Sequence, residues 1–285
     1  MASNQESTRE GTLTANIQVH AFLANAGEYQ KSPHFRPENQ AKIRAILQRL
    51  CAELPAGGPR KVIDFGCGTG FLIDLMHELF AELHGVDITP DMMKHVNLRG
   101  GKVHLHECQA EHTPFPDNQF EFATAYSFMD HLFDYRDFLR EAHRVLKPGG
   151  MFYSDLNPNR AFIHAIEQAE RARQTGLSGI VEREVLGALH NGAYYEQNFG
   201  LSAQLLEQAE PIKSHDKGFD AGEVLAVARE IGFSACRVEY EWFLGQAKVM
   251  HEQSSEDADT VDRYLSAVLP VSSGLYKYLR FVFVK

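Results

Sequence analysis

Through the middle of the chain, short apolar runs alternate with stretches of helical period. Residues 61–65 (Lys-Val-Ile-Asp-Phe) form a compact apolar run that predicts a buried strand, and a glycine-rich loop follows at once. Residues 71–79 place Leu72, Leu75, Met76 and Leu79 on one side of a helix. The alternation then repeats, with strands over 82–87, 102–107 and 120–126 and a helix over 138–146. Another helix is expected to start near Pro90, since proline suits a first turn. The turn Lys147-Pro148-Gly149-Gly150 precedes a fifth strand over 151–155. Such strand–helix alternation predicts an α/β protein with a parallel sheet covered on both faces.

The flanks are less regular. Ile43, Ile46, Leu47 and Leu50 give residues 38–50 a helical face, 55–59 reads as a turn, and 1–12 reads as a loose end. Residues 157–218 suggest two or three helices with loops. A helix over 221–231 should stop at Gly232, and 236–244 and 276–284 read as two more strands. Between them, 246–274 is long for a simple connection and predicts a helical excursion through 261–268. The expectation is a single domain. Its core would be about 38–156 and 219–285, its lid about 13–37 and 157–218, with 246–274 a further candidate lid piece.

Composition narrows the class. No apolar run approaches the roughly 20 residues of a membrane helix, and 1–11 lacks the basic-then-apolar order of a signal peptide. A cytoplasmic protein without a membrane partner is therefore expected. The formal charge of -10 argues against a general nucleic-acid binder. The four cysteines, Cys51, Cys67, Cys108 and Cys236, lack paired spacing and suit reduced thiols.

The loop Gly66-Cys67-Gly68-Thr69-Gly70 lets backbone amides approach a ligand closely. A dinucleotide fingerprint needs a glycine three residues after Gly68, but that position is Phe71, which speaks against an NAD-dependent enzyme. The whole stretch Val62-Ile63-Asp64-Phe65-Gly66-Cys67-Gly68-Thr69-Gly70 resembles the first motif of class I S-adenosylmethionine-dependent methyltransferases of the small-molecule branch. Asp87, in Gly85-Val86-Asp87-Ile88, stands where that family places a carboxylate on the ribose hydroxyls. Residues 110–117 resemble the family's adenine-cupping segment, and 144–150 its turn before strand five. The resemblance covers 62–155 well, the last two strands loosely, and 157–218 not at all.

That resemblance implies a Rossmann-like, doubly wound, seven-stranded, mostly parallel sheet with helices on both faces and a mainly helical lid. It implies S-adenosyl-L-methionine as cofactor. The expected contacts are Asp64, Gly66, Cys67, Gly68 and Gly70 in the loop, then Asp87, Ile88 and Met92, then Gln109, Ala110 and Glu111. The family usually has an aspartate at position 109, and Gln109 offers a neutral acceptor instead. Tyr126 and Ser127 end the fourth strand, where a parallel sheet faces its ligand. Tyr29, with His34 nearby, belongs to an N-terminal segment that closes over the cofactor in similar enzymes.

Methyl transfer from a sulfonium mainly requires alignment and exclusion of water, with a base only if the acceptor must lose a proton. The family often has a histidine near the methyl, which points to His131 as first candidate base. His190 and Tyr194 are further catalytic candidates, and His215, Tyr195 and Glu196 also lie in the inserted segment. Phe162, Tyr194, Tyr195 and Phe199 suit a small, partly apolar or aromatic metabolite methylated on oxygen or nitrogen. His104, His106 and Cys108 alternate onto one strand face, but their spacing matches no structural zinc pattern, and no metal is expected. A nucleic-acid base methyltransferase would carry Asn/Asp-Pro-Pro-aromatic after strand four, where this chain has Ala125-Tyr126-Ser127-Phe128. The remaining alternative is a non-catalytic S-adenosylmethionine-binding partner or sensor. The expected partner is a small methyl acceptor, and the expected state is monomer or homodimer.

Overall fold

A computed structural model describes residues 8–27, 35–57, 60–171, 179–189, 192, 196–197 and 200–285. Seven strands form one sheet: β1 (Lys61–Phe65), β2 (Glu82–Asp87), β3 (Val103–Glu107), β4 (Phe120–Tyr126), β5 (Leu146–Pro158), β6 (Ala235–Phe243) and β7 (Tyr276–Val284). Their order is β3-β2-β1-β4-β5-β7-β6. β1 to β5 run parallel, while β7 lies antiparallel between β5 and β6. The order reverses between β1 and β4, so the crevice above their carboxyl ends is the natural ligand site of the fold.

The apolar runs become strands because both faces of the sheet are covered. Helix α1 spans Arg9–Asn25, α2 Pro37–Glu53, α3 Phe71–Met76, α4 Pro90–Met93 and α5 Tyr135–Val145. On one face, α5 and the helix Ala221–Ile231 bury Phe65, Phe138, Phe152 and Phe283. Phe138 meets Phe65 edge-on at 5.1 Å between centroids. Truncating such a ring to alanine removes about 3–5 kcal/mol. On the other face, α2 and α3 pack Leu47, Leu50, Ile73 and Met76 against Val62 and Phe122. The side chains of Asp134 and Asp220 cap α5 and the Ala221–Ile231 helix, and Gly232 ends the latter at φ 119°.

Three expectations need correction. Residues 1–12 were expected as a loose end, yet α1 begins at Arg9, with Thr8 accepting from the Gly11 amide as its cap. The helix expected near Pro90 does start there and is a single turn ending at Met93. β3 is an edge strand with His104 exposed, rather than a strand covered on both sides. Residues 246–274 hold two helices, Gln246–Glu252 and Ser255–Ala267, which close over Phe243 and Tyr276 at the far end of the sheet. Among the described residues, no helix is long and apolar enough to cross a membrane.

Candidate functional site

A cavity of about 570 Å³ opens above the carboxyl ends of β1, β2 and β4, within the usual size of a small-molecule site. Its floor is the glycine loop. Gly66 takes φ 64°, and a Cβ there would lie 2.1 Å from the Phe128 ring, so only glycine fits. The Gly68 amide donates to Asp87 Oδ2 at 2.9 Å, and the Thr89 amide donates to Asp87 Oδ1 at 2.8 Å. These bonds hold the Asp87 carboxylate beside the loop with acceptor capacity left over. Burial pushes the Asp87 carboxyl upward, and the two amide bonds oppose that shift.

Asp64 is the second carboxyl of the floor. It is buried, accepts from Thr124 Oγ1 at 2.6 Å, and lines the cavity. Burial pushes its pKa up to about 7, with the Thr124 hydrogen bond pulling down and the nearby Asp87 pushing up. A cationic ligand group placed beside Asp64 would restore its charge. Cys67 also lines the cavity, but its sulfur packs on the sheet face covered by α3, 2.8 Å from where a Cβ on Gly85 would sit. Burial drives its thiol well up, so it stays neutral and is a packing residue.

Ile88, Met92, Gln109, Ala110 and Glu111 line the cavity on the β2–β3 side. Tyr126 and Ser127 line it at the end of β4, where Ser127 adopts φ 50°. Such a backbone is uncommon for a residue other than glycine and concentrates at functional sites. Tyr126 lies against Phe71 at 5.1 Å, and Phe71 against Phe35 at 5.3 Å, which makes an aromatic side wall.

The opposite end is built from segments far apart in sequence. His131, in the 3-10 turn Met129–His131, lines the cavity and points its Nδ1 at the Ala209 carbonyl oxygen, 3.2 Å away. A carbonyl only accepts, so Nδ1 carries the proton and Nε2 is left as a lone-pair acceptor. His20 of α1 meets His131 edge-on at 4.9 Å. Burial, then the neighbouring His131, lowers His20 to about 3, so it is a neutral imidazole at physiological pH. Asn16 Nδ2 donates to the His131 carbonyl at 3.0 Å and fastens α1 to the turn. Ala15 and Val19 of α1 pack on Leu206 and Ala209 of the helix Ala203–Ala209. Arg9 adds ion pairs to Glu111 at 3.3 Å and Asp137 at 2.6 Å.

Not every expected residue is in place. Gly70 is not among the lining residues; it caps α3 at φ 88°, and its Cα faces Val96. Phe162 is fully buried against Ile163, Ile166 and Val185, away from the cavity. His215 and Glu196 are exposed and do not line it. Tyr29, His34, His190, Tyr194, Tyr195 and Phe199 lie outside the described residues. His104 and His106 stack with His84 on the outer strands, and His84 bonds His106 at 3.0 Å and Glu82 at 2.6 Å. Among the described residues, no group of three or more His, Cys, Asp or Glu is arranged to hold a metal. Sequence reading missed the α1 wall and Glu210.

Comparison with known proteins decides the family. Residues 63–154 match a methyltransferase domain family. A ubiquinone biosynthesis O-methyltransferase of Bordetella avium is 31% identical over 185 residues, covering 60% of this chain and 73% of that protein. The chain belongs to the class I S-adenosylmethionine-dependent methyltransferases. A probable member from Mycolicibacterium smegmatis is 33% identical over 115 residues, 40% of this chain and 43% of the relative. The chain spans about half the length of several curated relatives, 43% and 51% in two cases. A Haemonchus contortus phosphoethanolamine N-methyltransferase 2, solved with phosphomonomethylethanolamine and S-adenosylhomocysteine, superposes with a TM-score of 0.57 at 17% identity. That match covers 97% of this chain and 60% of the other and concerns the fold. The methyltransferase core of the family, 63–154, contains the glycine loop, Asp64, Asp87 and His131 of this site.

Proposed function

We propose that this methyltransferase transfers the methyl group of S-adenosylmethionine to a hydroxyl of a small, uncharged, largely apolar acceptor. The residues fit the cofactor. Asp87 offers a fixed carboxylate for the ribose hydroxyls, and the Gly66 and Gly68 backbone leaves room for close approach. Asp64 stands where a buried carboxyl gains from a cation, and Gln109 to Glu111 close the adenine side. When bound, S-adenosylmethionine supplies a methyl group already activated on sulfonium, so the protein's task is alignment, exclusion of water and removal of one proton.

The observation that carries the hydroxyl reading is the contact of His131 Nδ1 with the Ala209 carbonyl oxygen. With Nδ1–H committed to the Ala209 carbonyl, Nε2 is a ready acceptor on the cavity wall. The acceptor's oxygen would bond the methyl carbon as the carbon–sulfur bond breaks and S-adenosylhomocysteine leaves, and His131 Nε2 would take the hydroxyl proton. Leu13, Val19, Leu23, Leu132 and Leu206 make the surrounding wall apolar. Among the described lining residues, the Lys and Arg complement is Arg9, which is paired with two carboxylates. That favours an uncharged acceptor over a phosphorylated amine of the Haemonchus kind, and it agrees with the O-methyltransferase name of the Bordetella relative.

A screen of phenolic and enolic acceptors with methyl-labelled S-adenosylmethionine tests the reading. Label should pass to at least one hydroxyl acceptor, and His131→Gln should abolish most of that transfer. Transfer confined to amines, or none in the presence of tight cofactor binding, would overturn it. The second outcome would leave a cofactor-binding partner or sensor.

A further inference from the structure

The helix Pro211–Ser214 packs on the turn that carries His131, and three ionisable side chains, from the turn and from the inserted segment, interact there. Asp130 precedes it in the same turn and is 5% exposed, and its Oδ1 has no hydrogen-bond partner among the described residues. Glu210 lines the cavity, and Lys213 approaches Glu210 Oε2 at 3.1 Å. Both come from the inserted helices, at the junction of Ala203–Ala209 and Pro211–Ser214. Lys213 is a cation held by two carboxyl groups, Glu210 and Asp130, which raise its proton affinity despite burial. Burial pushes the Asp130 carboxyl up, and charge on His131 pulls it back down.

We propose that Asp130, Glu210 and Lys213 are positioning residues that form an electrostatic seat for the protonated ring of His131. The proposal rests on His131 being the proton acceptor. When both carboxyls are ionised, they leave one negative charge in excess over the Lys213 ammonium, which an imidazolium on His131 cancels. The cluster thereby gives the transferred proton a matched counter-charge in a site where water screens little. The groups facing His131 are His20 from α1, Asp130 from its own turn, and Glu210 and Lys213 from the inserted helices. His20, neutral and in ring contact, adds no opposing charge, so the carboxyl groups supply the favourable field. Asp130 without its hydrogen-bond partner is consistent with a carboxyl held for field rather than for packing.

The test reads the proton on His131 directly. Histidine labelled with carbon-13 at the ring is titrated by NMR in the full chain saturated with S-adenosylhomocysteine, and His131→Gln assigns the signal. Lys213→Met should raise the His131 midpoint by about one pH unit, a tenfold gain in proton affinity. Asp130→Asn should lower it by a similar amount, and Lys213→Arg should restore the parent value. Loss of packing alone would not move two variants in opposite directions. Superimposable titrations in both variants, or shifts of the same sign, would overturn the seat. If a variant does not fold, the remaining one against Lys213→Arg decides the sign. Loss of turnover in His131→Gln alongside unmoved midpoints would sink the seat and leave the base. Full turnover in His131→Gln would sink the base itself.

Discussion

At one end of the cavity, the glycine loop, Asp64 and Asp87 sit on two adjacent strands and are tied by backbone bonds. At the other, Asn16 and His20 of α1, His131 after β4 and Glu210 of the inserted segment meet across most of the chain. The first end is rigid because its geometry is the strand spacing itself. The second depends on helix docking through Asn16, the Arg9 ion pairs and a small apolar cluster of Ala15, Val19 and Leu206. Exposed ion pairs such as those of Arg9 contribute about 0–1 kcal/mol each, so the apolar contacts and the buried Asn16 bond carry the docking. On the proposed reading, a cofactor end set by strand spacing faces an acceptor end set by helix docking.

The difference can be broken most severely at the floor. Gly66→Val would place side-chain atoms in the Phe128 ring at a positive φ. Calorimetry should show at least about a 100-fold loss of cofactor affinity, near 2.7 kcal/mol, because the loop must move. Retained affinity would mean the loop is not the cradle. At the other end, His131→Gln should lower kcat about 100-fold or more, the usual range for a general base, with cofactor affinity within about twofold. A KM effect without a kcat effect would assign His131 to acceptor binding alone.

Acidity sharpens the same contrast. Asp64 titrates at about 7 in the free protein because it is buried. In the unfolded chain a carboxyl titrates near ~3.9. Between these values the native state holds a proton that the unfolded chain has released. This group's contribution to the free protein's stability is therefore present at low pH and is lost as pH rises through 7. Cofactor affinity should run the other way. It should strengthen as pH rises toward 7 and level off above it, since a cationic ligand selects ionised Asp64, with a limiting slope of about tenfold per unit below 7. A flat profile between about pH 5.5 and 8 would remove Asp64 from the cation's surroundings. The smallest effect is at Gln109, where Gln109→Ala should weaken cofactor binding by about 1 kcal/mol, the scale of one neutral hydrogen bond.

The two ends also differed in how far the chain alone revealed them. The floor was legible because its chemistry is local: a strand, a glycine turn and an acid at the next strand end, all in close sequence. Gly70 was misplaced because glycine at a helix start serves the turn as readily as the ligand. The α1 wall was hidden because its inner face mixes Thr12, Asn16 and His20 with Ala15 and Val19, which blurs the apolar period. The four-residue spacing of Thr12, Asn16 and His20 was the available signal, a polar stripe at helical repeat. Nothing in the sequence placed Glu210 near His131, since that contact exists only once two distant helices have docked. Phe162 shows the reverse error, an aromatic residue assigned to the acceptor that fills a separate core.

The two-ended account is tested most directly by titrating S-adenosylhomocysteine into the parent protein, Asp87→Asn and His131→Gln by calorimetry. Asp87→Asn should weaken binding by about 1.5–3 kcal/mol, the scale of hydrogen bonds to a charged group, and His131→Gln should leave it within about twofold. Equal losses in both variants, or unchanged binding in Asp87→Asn, would contradict the division of the cavity into a cofactor end and an acceptor end.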